Sequence, residues 1–275
     1  LTPEEVVALL PGFEPEEGLV AFSEPNSGYA EPYLAVTTLA RAARSRGVEL
    51  KQENRVTAIR RVDGRVAGID TTQGSFDAPW VVNATGAWGA AMARLVGVEA
   101  PIASCRIQVA VYHRDATGPR SHPIVADFRT ACYFRPEIGD KTLVGLIDPA
   151  EAEARVDPDD FARKADFSFL AEVGEKLSRT YPPMAEAESS GGYASLYAIT
   201  PDWHPIVDEV PAGSGHLLCS GFSGHGFKLG PAVGLMVADL VTGAEDPRFS
   251  SEPFRLSRYE EHQQVEGRYQ YSIVG

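Results

Sequence analysis

Residues 219–231 read "CSGFSGHGFKLGP", four glycines around one lysine, one histidine and two phenylalanines. A buried lysine needs a partner, because an unpaired charge away from water is costly. Glycines at 221, 224, 226 and 230 permit positive φ angles and close approach of another molecule. His216–Ser220 read as a buried strand. Residues 231–241 read as a closing helix, bracketed by Pro231 and Gly243. A strand, a glycine bend and a helix point backbone N–H groups at whatever lies by the helix start, and Lys228 adds a full positive charge. The predicted ligand is therefore electron-rich, planar or anionic. A nucleoside triphosphate fits less well: the spacing is not G-x-x-x-x-G-K-[ST], and no Ser or Thr follows Lys228. A tight connection bearing a surface lysine explains one or two of these glycines but not all four.

Other chemistries fit less well. "GFSGHG" imitates G-x-S-x-G only in part, through Gly221, Ser223 and Gly224, and its second glycine comes one residue early for a serine hydrolase. Cys219, beside Leu217 and Leu218, reads as a small buried residue and not a nucleophile. His225 either stacks or donates near a ligand or fills the turn. His204 reads as a loop histidine, and His113 and His122 sit in strand and loop without metal-ligand spacing, so no metal is expected.

A second strand–glycine–helix unit lies in "PWVVNATGAWGAAMARLVG", residues 79–97. Trp80 to Val82 form a strand, Gly86 and Gly89 a turn, and Ala90, Ala91, Met92 and Leu95 a helix. Its start can bind an anion, or the glycines can simply serve a tight turn. "EPYLAVTTLARAARSRG" (31–47) predicts an amphipathic helix with Pro32 in its first turn, Val36, Leu39, Ala40 and Ala43 on one face, and Gly47 as C-cap. Residues 54–78 read as a meander turning at Asp63-Gly64 and Gln73-Gly74. Residues 101–150 alternate strands and turns, as in an antiparallel sheet. A second amphipathic helix is predicted from Asp157, with Pro158 in its first turn and Phe161, Ala165, Phe169, Val173 and Leu177 on its core face. Polar residues from Glu245 onward are expected to wrap the surface.

Size and charge bound the function. With 275 residues, 44% of them hydrophobic, the chain can bury one large core or two smaller ones. A net charge of −13 repels phosphate backbones, so nucleic acid is an unfavoured partner. No apolar run reaches the length of a membrane span. The cysteines, 105, 132 and 219, are odd in number and lack CxxC spacing, which fits a reducing cytoplasm.

"SGFSGHGFKLGP" together with "YAITPDWHPIVD" resembles the D-amino-acid oxidase-like FAD oxidoreductases, nearest the branch of sarcosine oxidase, glycine oxidase and dimethylglycine-type enzymes. The likeness also takes in "EPYLAVTTLARAARSRGVEL", the meander and "VVNATGAW". It implies a mixed α/β fold: an FAD-binding layer of the glutathione-reductase-like type plus an antiparallel-sheet substrate domain. The expected division is 1–97 with 194–275 for FAD and 98–193 for substrate. By resemblance, Gly221, Phe222, Ser223, Gly224, His225 and Gly226 lie against the flavin ring and ribityl chain. Val56, Thr85 and Gly86 lie toward the adenine and pyrophosphate. Lys228 holds a substrate carboxylate and Tyr197 contacts substrate. With His225, these make the candidate catalytic set. Ser195 stands where covalently flavinylated relatives carry cysteine, so the FAD is expected to be non-covalent.

The implied reaction oxidises the C–N bond of a small amino acid or N-methyl amino acid. The cofactor carries the redox chemistry, the protein positions the amine, and Lys228 neutralises its acid group. The family's opening strand–GxGxxG–helix is missing, and Leu1 aligns about a hundred residues into a member of usual domain size. The chain is therefore expected to be a fragment, inactive alone. The competing reading is a non-catalytic binding or scaffold module that has lost the flavin.

Overall fold

The computed structural model describes residues 1–114, 121–148, 150, 153–244 and 249–266. Along the chain the elements are α1 (Pro3–Leu9), α2 (Pro32–Arg44), β1 (Val56–Val62), β2 (Arg65–Thr71), β3 (Gly74–Asp77), β4 (Val81–Asn83), α3 (Gly89–Arg94), β5 (Ala103–His113), β6 (Val125–Asp127), β7 (Cys132–Glu137) and β8 (Lys141–Leu146). They continue with α4 (Phe167–Thr180), β9 (Glu188–Ile199), β10 (Ile206–Glu209), β11 (His216–Ser220) and α5 (Gly226–Thr242). The chain divides into two compact units, residues 1–29 with 106–196 and residues 30–105 with 197–275. Residues 1–29, which the sequence groups with 30–97, thus belong with the antiparallel sheet. The reason is apolar: Leu10 and Phe13 enter that unit's core, and Tyr181 donates its hydroxyl to the Pro11 carbonyl at 3.1 Å.

In the first unit, five strands run in the order β6-β7-β8-β5-β9, with antiparallel pairing of β6, β7, β8 and β5. The expected sheet over 101–150 is therefore present. One face is covered by α4, whose Phe169, Val173 and Leu177 pack with Ala110, Tyr112, Phe134 and Val144. The helix begins nine residues later than expected, its N-cap at Asp166 instead of Asp157. Residues 163–165 are drawn into pairing with β9: the Ala194 N–H donates to Arg163, and the Ala165 N–H donates to Gly192. Asp166 then takes the Arg106 guanidinium at 2.8 Å and marks the helix start.

In the second unit, β1, β2 and β3 form the expected antiparallel meander, with Asp63 and Gly64 at positive φ in its first turn. A separate three-stranded sheet has the order β10-β11-β4. Strand β11 is buried along its whole length. Its Leu217 and Cys219 face Met236, Val233 and Val237 of α5, whereas Leu218 faces Ile206, Val210 and Ile102. The last helix starts at Gly226, five residues before the expected Pro231, and carries that proline inside it. Proline normally bars helical geometry in the residue before it, because its ring meets that residue's Cβ. Gly230 has no Cβ to meet, so the helix runs through. Gly243 closes it in the left-handed conformation, as expected. Helix α2 is amphipathic and begins at Pro32, yet none of its 13 residues is buried, and Tyr33, Leu34, Val36 and Leu39 are all exposed.

Candidate active site: two glycine turns on adjacent parallel strands

β11 pairs parallel to β4, with His216 opposite Val81, Leu217 opposite Val82 and Leu218 opposite Asn83. Parallel neighbours end on the same side, so the two strand–glycine–helix units deliver their turns to one sheet edge. Ligands of open α/β sheets bind outside such carboxyl ends. A hydrogen bond joins the turns across 134 residues of sequence: Ser220 Oγ donates to the Gly86 carbonyl at 2.9 Å. The fit at this seam is tight. A Cβ at Gly89 would stand 2.4 Å from Ser220 Oγ.

The first turn is organised by Asn83, which is buried. Its amide donates to the Gly89 carbonyl at 2.9 Å, and its Oδ1 accepts from the Thr85 hydroxyl at 2.7 Å. Gly86 follows at φ +57, and nothing lies within 4 Å of where its Cβ would be. Thr85 and Gly86 thus form a turn braced from within and open on the outside.

The second turn passes through Gly221 (φ +78), Ser223 (φ +48) and Gly224 (φ +88). Its glycines have an internal reason the sequence does not show. A Cβ at Gly221 would lie 2.4 Å from Thr200 Cγ2, and one at Gly224 would lie 2.6 Å from the Tyr197 ring. The end of β9 therefore buttresses one side of the bend, and Tyr197 is brought against Gly224. Ser223 is buried. Its N–H donates to the Ala198 carbonyl at 2.8 Å, and its Oγ donates to the Gly221 carbonyl at 3.2 Å. Phe222 packs into the α5 core cluster, so it is partly a core residue. His225 occupies the N-cap position of α5, its Nδ1 3.3 Å from the Phe222 carbonyl, and makes no side-chain cap bond. The first-turn amides of a helix so capped keep their partial positive charge available to a ligand.

Lys228 sits in that first turn, exposed, and forms no ion pair among the described residues. Partial desolvation lowers its ammonium pKa. Val56 opens β1 in the meander sheet, a different sheet from the one that holds β4 and β11. Ser195 lies on β9, exposed. Cys219 is buried, and burial pushes its thiol pKa up to about 11, which keeps it an un-ionised packing residue. His122 is buried against Thr142, its Nε2 2.8 Å from the hydroxyl.

A buried cluster behind the second turn escapes sequence reading. Arg258, fully buried, donates from Nε and Nη2 to the two oxygens of Asp202 at 2.8 and 3.0 Å. The Tyr259 hydroxyl adds a bond to Asp202 at 2.8 Å, and the Val265 N–H another at 3.1 Å. Burial alone raises the Asp202 pKa. The bonds from Arg258, Tyr259 and Val265 outweigh that effect and hold it at about 2. A lone arginine in a polar tail carries no periodic signal, so only the fold discloses this pair.

FAD fits these residues. Its planar ring and anionic pyrophosphate match uncapped helix amides, a nearby lysine ammonium and a glycine turn with open space beside it. The described residues contain no cluster of His, Cys, Asp and Glu suited to a metal.

Similarity to known proteins agrees with this geometry. The chain is 29% identical to human mitochondrial sarcosine dehydrogenase over 249 residues, covering 88% of this chain and 27% of that protein. It is 28% identical to glycine oxidase of Geobacillus kaustophilus, covering 94% of this chain and 65% of that enzyme. The solved structure of L-proline dehydrogenase from P. horikoshii superposes with a TM-score of 0.86 at 26% identity, over 96% of this chain and 69% of that one. This chain thus spans about a quarter of the dehydrogenase and about two thirds of the other two. The family model described as FAD dependent oxidoreductase matches residues 1–240, and the chain belongs to that family.

Proposed function

We propose that the protein is an FAD-dependent oxidoreductase of small amino acids or N-methyl amino acids, oxidising their C–N bond. The observation that carries this reading is the pairing of β4 with β11, which sets the Gly86 turn and the 221–226 bend side by side. Bound FAD supplies the two-electron acceptor. The Thr85–Gly86 turn, with Val56 further along the nucleotide, holds its anionic half. Gly221, Phe222, Ser223, Gly224, His225 and Gly226 lie along the ring and ribityl chain, without a covalent link. Lys228 offers its ammonium to the substrate carboxylate, and Tyr197 shapes the amine's side of the site. A carboxylate fixed in this way presents the C–N bond in one orientation, and orientation supplies much of the rate. We assign the FAD side to the unit of residues 30–105 and 197–275, and the substrate side to the sheet of 106–196. Three buried cysteines without CxxC spacing suit a reducing compartment, and we place the protein in the cytoplasm. Among the described residues, no helix is long and apolar enough to cross a membrane.

The test is anaerobic mixing of the FAD-supplied protein with sarcosine, glycine or proline while following visible flavin absorbance. Bleaching by one of these amines supports the reading. A protein that stays colourless with FAD supplied even at full gene length is the binding module instead. Replacing Lys228 by alanine is expected to raise KM for a carboxylated amine roughly ten- to a hundredfold, the value of one charged hydrogen bond, with flavin content unchanged. Equal loss of flavin and substrate binding refutes the role given to Lys228.

A further inference from the structure

We infer that Arg258 is a positioning residue for the 221–226 bend, acting through Asp202, the His204 carbonyl and Thr200. The inference rests on the proposed reading of that bend as the flavin side, and it concerns how a loop with three positive-φ residues is held in place.

The links are continuous. Arg258 Nη2 donates to the His204 carbonyl at 2.9 Å while the same side chain grips Asp202 with two bonds. Its Nη1 donates to the Arg255 carbonyl at 3.0 Å, which fixes the guanidinium plane. The His204 carbonyl also accepts from Thr200 Oγ1 at 2.7 Å. Thr200 in turn meets the bend at three points. Its N–H donates to Ser223 Oγ at 3.3 Å, its hydroxyl lies 3.4 Å from the same atom, and its Cγ2 fills the space where a side chain at 221 would stand. Ser223 is the non-glycine residue that the bend holds at φ +48, a conformation that L side chains adopt only when surrounding contacts impose it. Every one of these groups is buried or half-buried, so water does not compete for the bonds.

Arginine suits this role because its planar fork serves a carboxylate and two carbonyls at once, which a lysine ammonium cannot do in fixed directions. A tail that needed only anchoring would be served by apolar contacts such as Leu256 and Tyr259 already make with Ile206 and Leu218. The shared His204 carbonyl is what ties the tail to the bend.

Two variants test the inference in the full protein, Arg258→Lys and Thr200→Val. The second keeps side-chain volume, leaves the Arg258–Asp202 pair intact and cuts the link at its middle. The first readout is hydrogen exchange of the Ser223 amide, which needs no flavin. Both variants are expected to speed that exchange roughly tenfold while the amides of α4 keep their protection. The second readout is the FAD dissociation constant, expected to rise roughly three- to thirtyfold in each variant, with the double variant well short of the product of the two. The inference is overturned if Ser223 exchanges as in the unaltered protein in Thr200→Val. It is equally overturned if exchange rises uniformly over both units, the mark of a merely structural role. Should the unaltered protein take no FAD, the flavin reading fails, and the exchange of Ser223 still decides the role of Arg258.

Discussion

The two turns at the β4–β11 edge look alike in sequence and differ in what their glycines are for. At Gly86 a Cβ would meet nothing within 4 Å. At Gly221 and Gly224 it would meet Thr200 and Tyr197 at 2.4 and 2.6 Å. The first turn is braced by one buried side chain, Asn83, and opens outward. The second is packed from behind and tied to a buried ion pair. Strand–glycine–helix spelling therefore marks where backbone can approach a ligand, but it does not say whether a given glycine makes room for that ligand or for the protein itself.

Substitutions sharpen this contrast. Gly221→Ala combines a left-handed backbone with a clash, and it is expected to cost roughly 3 kcal/mol by chemical denaturation. Adding Thr200→Ser, which removes Cγ2 but keeps the hydroxyl, should recover about half of that. No recovery would mean that the clash is not the cause. Acid should separate the turns next. Asp202 has a folded pKa of about 2, below the ordinary value of 3.8, so its pairing contributes stability above pH 3.8 that is lost as pH falls toward 2. The loss is about 2 kcal/mol and should disappear in Asp202→Asn, whose stability is lower throughout. A denaturation series between pH 5 and pH 2 at constant ionic strength, with those limits set about the two pKa values, reads this directly.

Gly86→Ala carries backbone strain without a clash, roughly 1–2 kcal/mol. Its FAD affinity should fall further than its stability, and unchanged affinity would remove Gly86 from the cofactor side. The smallest effect serves as control. Gly234 lies inside α5 at ordinary helical φ with nothing within 4 Å, and Gly234→Ala should stabilise by roughly 0.5–1 kcal/mol.

Two helices show how far periodicity reaches. Both α2 and α4 were legible from apolar residues recurring at helical spacing. In α4 that stripe is buried on a five-stranded sheet; in α2 the corresponding residues are exposed. Periodicity states that a helix has an apolar face, and a partner surface decides whether the face is covered. Of the two boundaries that moved, one did so for a long-range reason and one for a local reason. Residues 163–165 were taken up by β9, and the helix ran through Pro231 because Gly230 spared the clash.

The sequence alone determined the elements that depend on neighbours in the chain: the meander with its Asp-Gly turn, the buried strand before the last helix, the glycine bend with Lys228, and the motifs that carry the family. Those follow from side-chain periodicity and backbone freedom, which are local. The tertiary structure decided that β4 lies beside β11, that Thr200 and Tyr197 stand where side chains at 221 and 224 would go, and that Arg258 reaches Asp202 from 56 residues away. Such pairings depend on which burial satisfies the most polar groups in the whole chain, and no short stretch of residues contains that information.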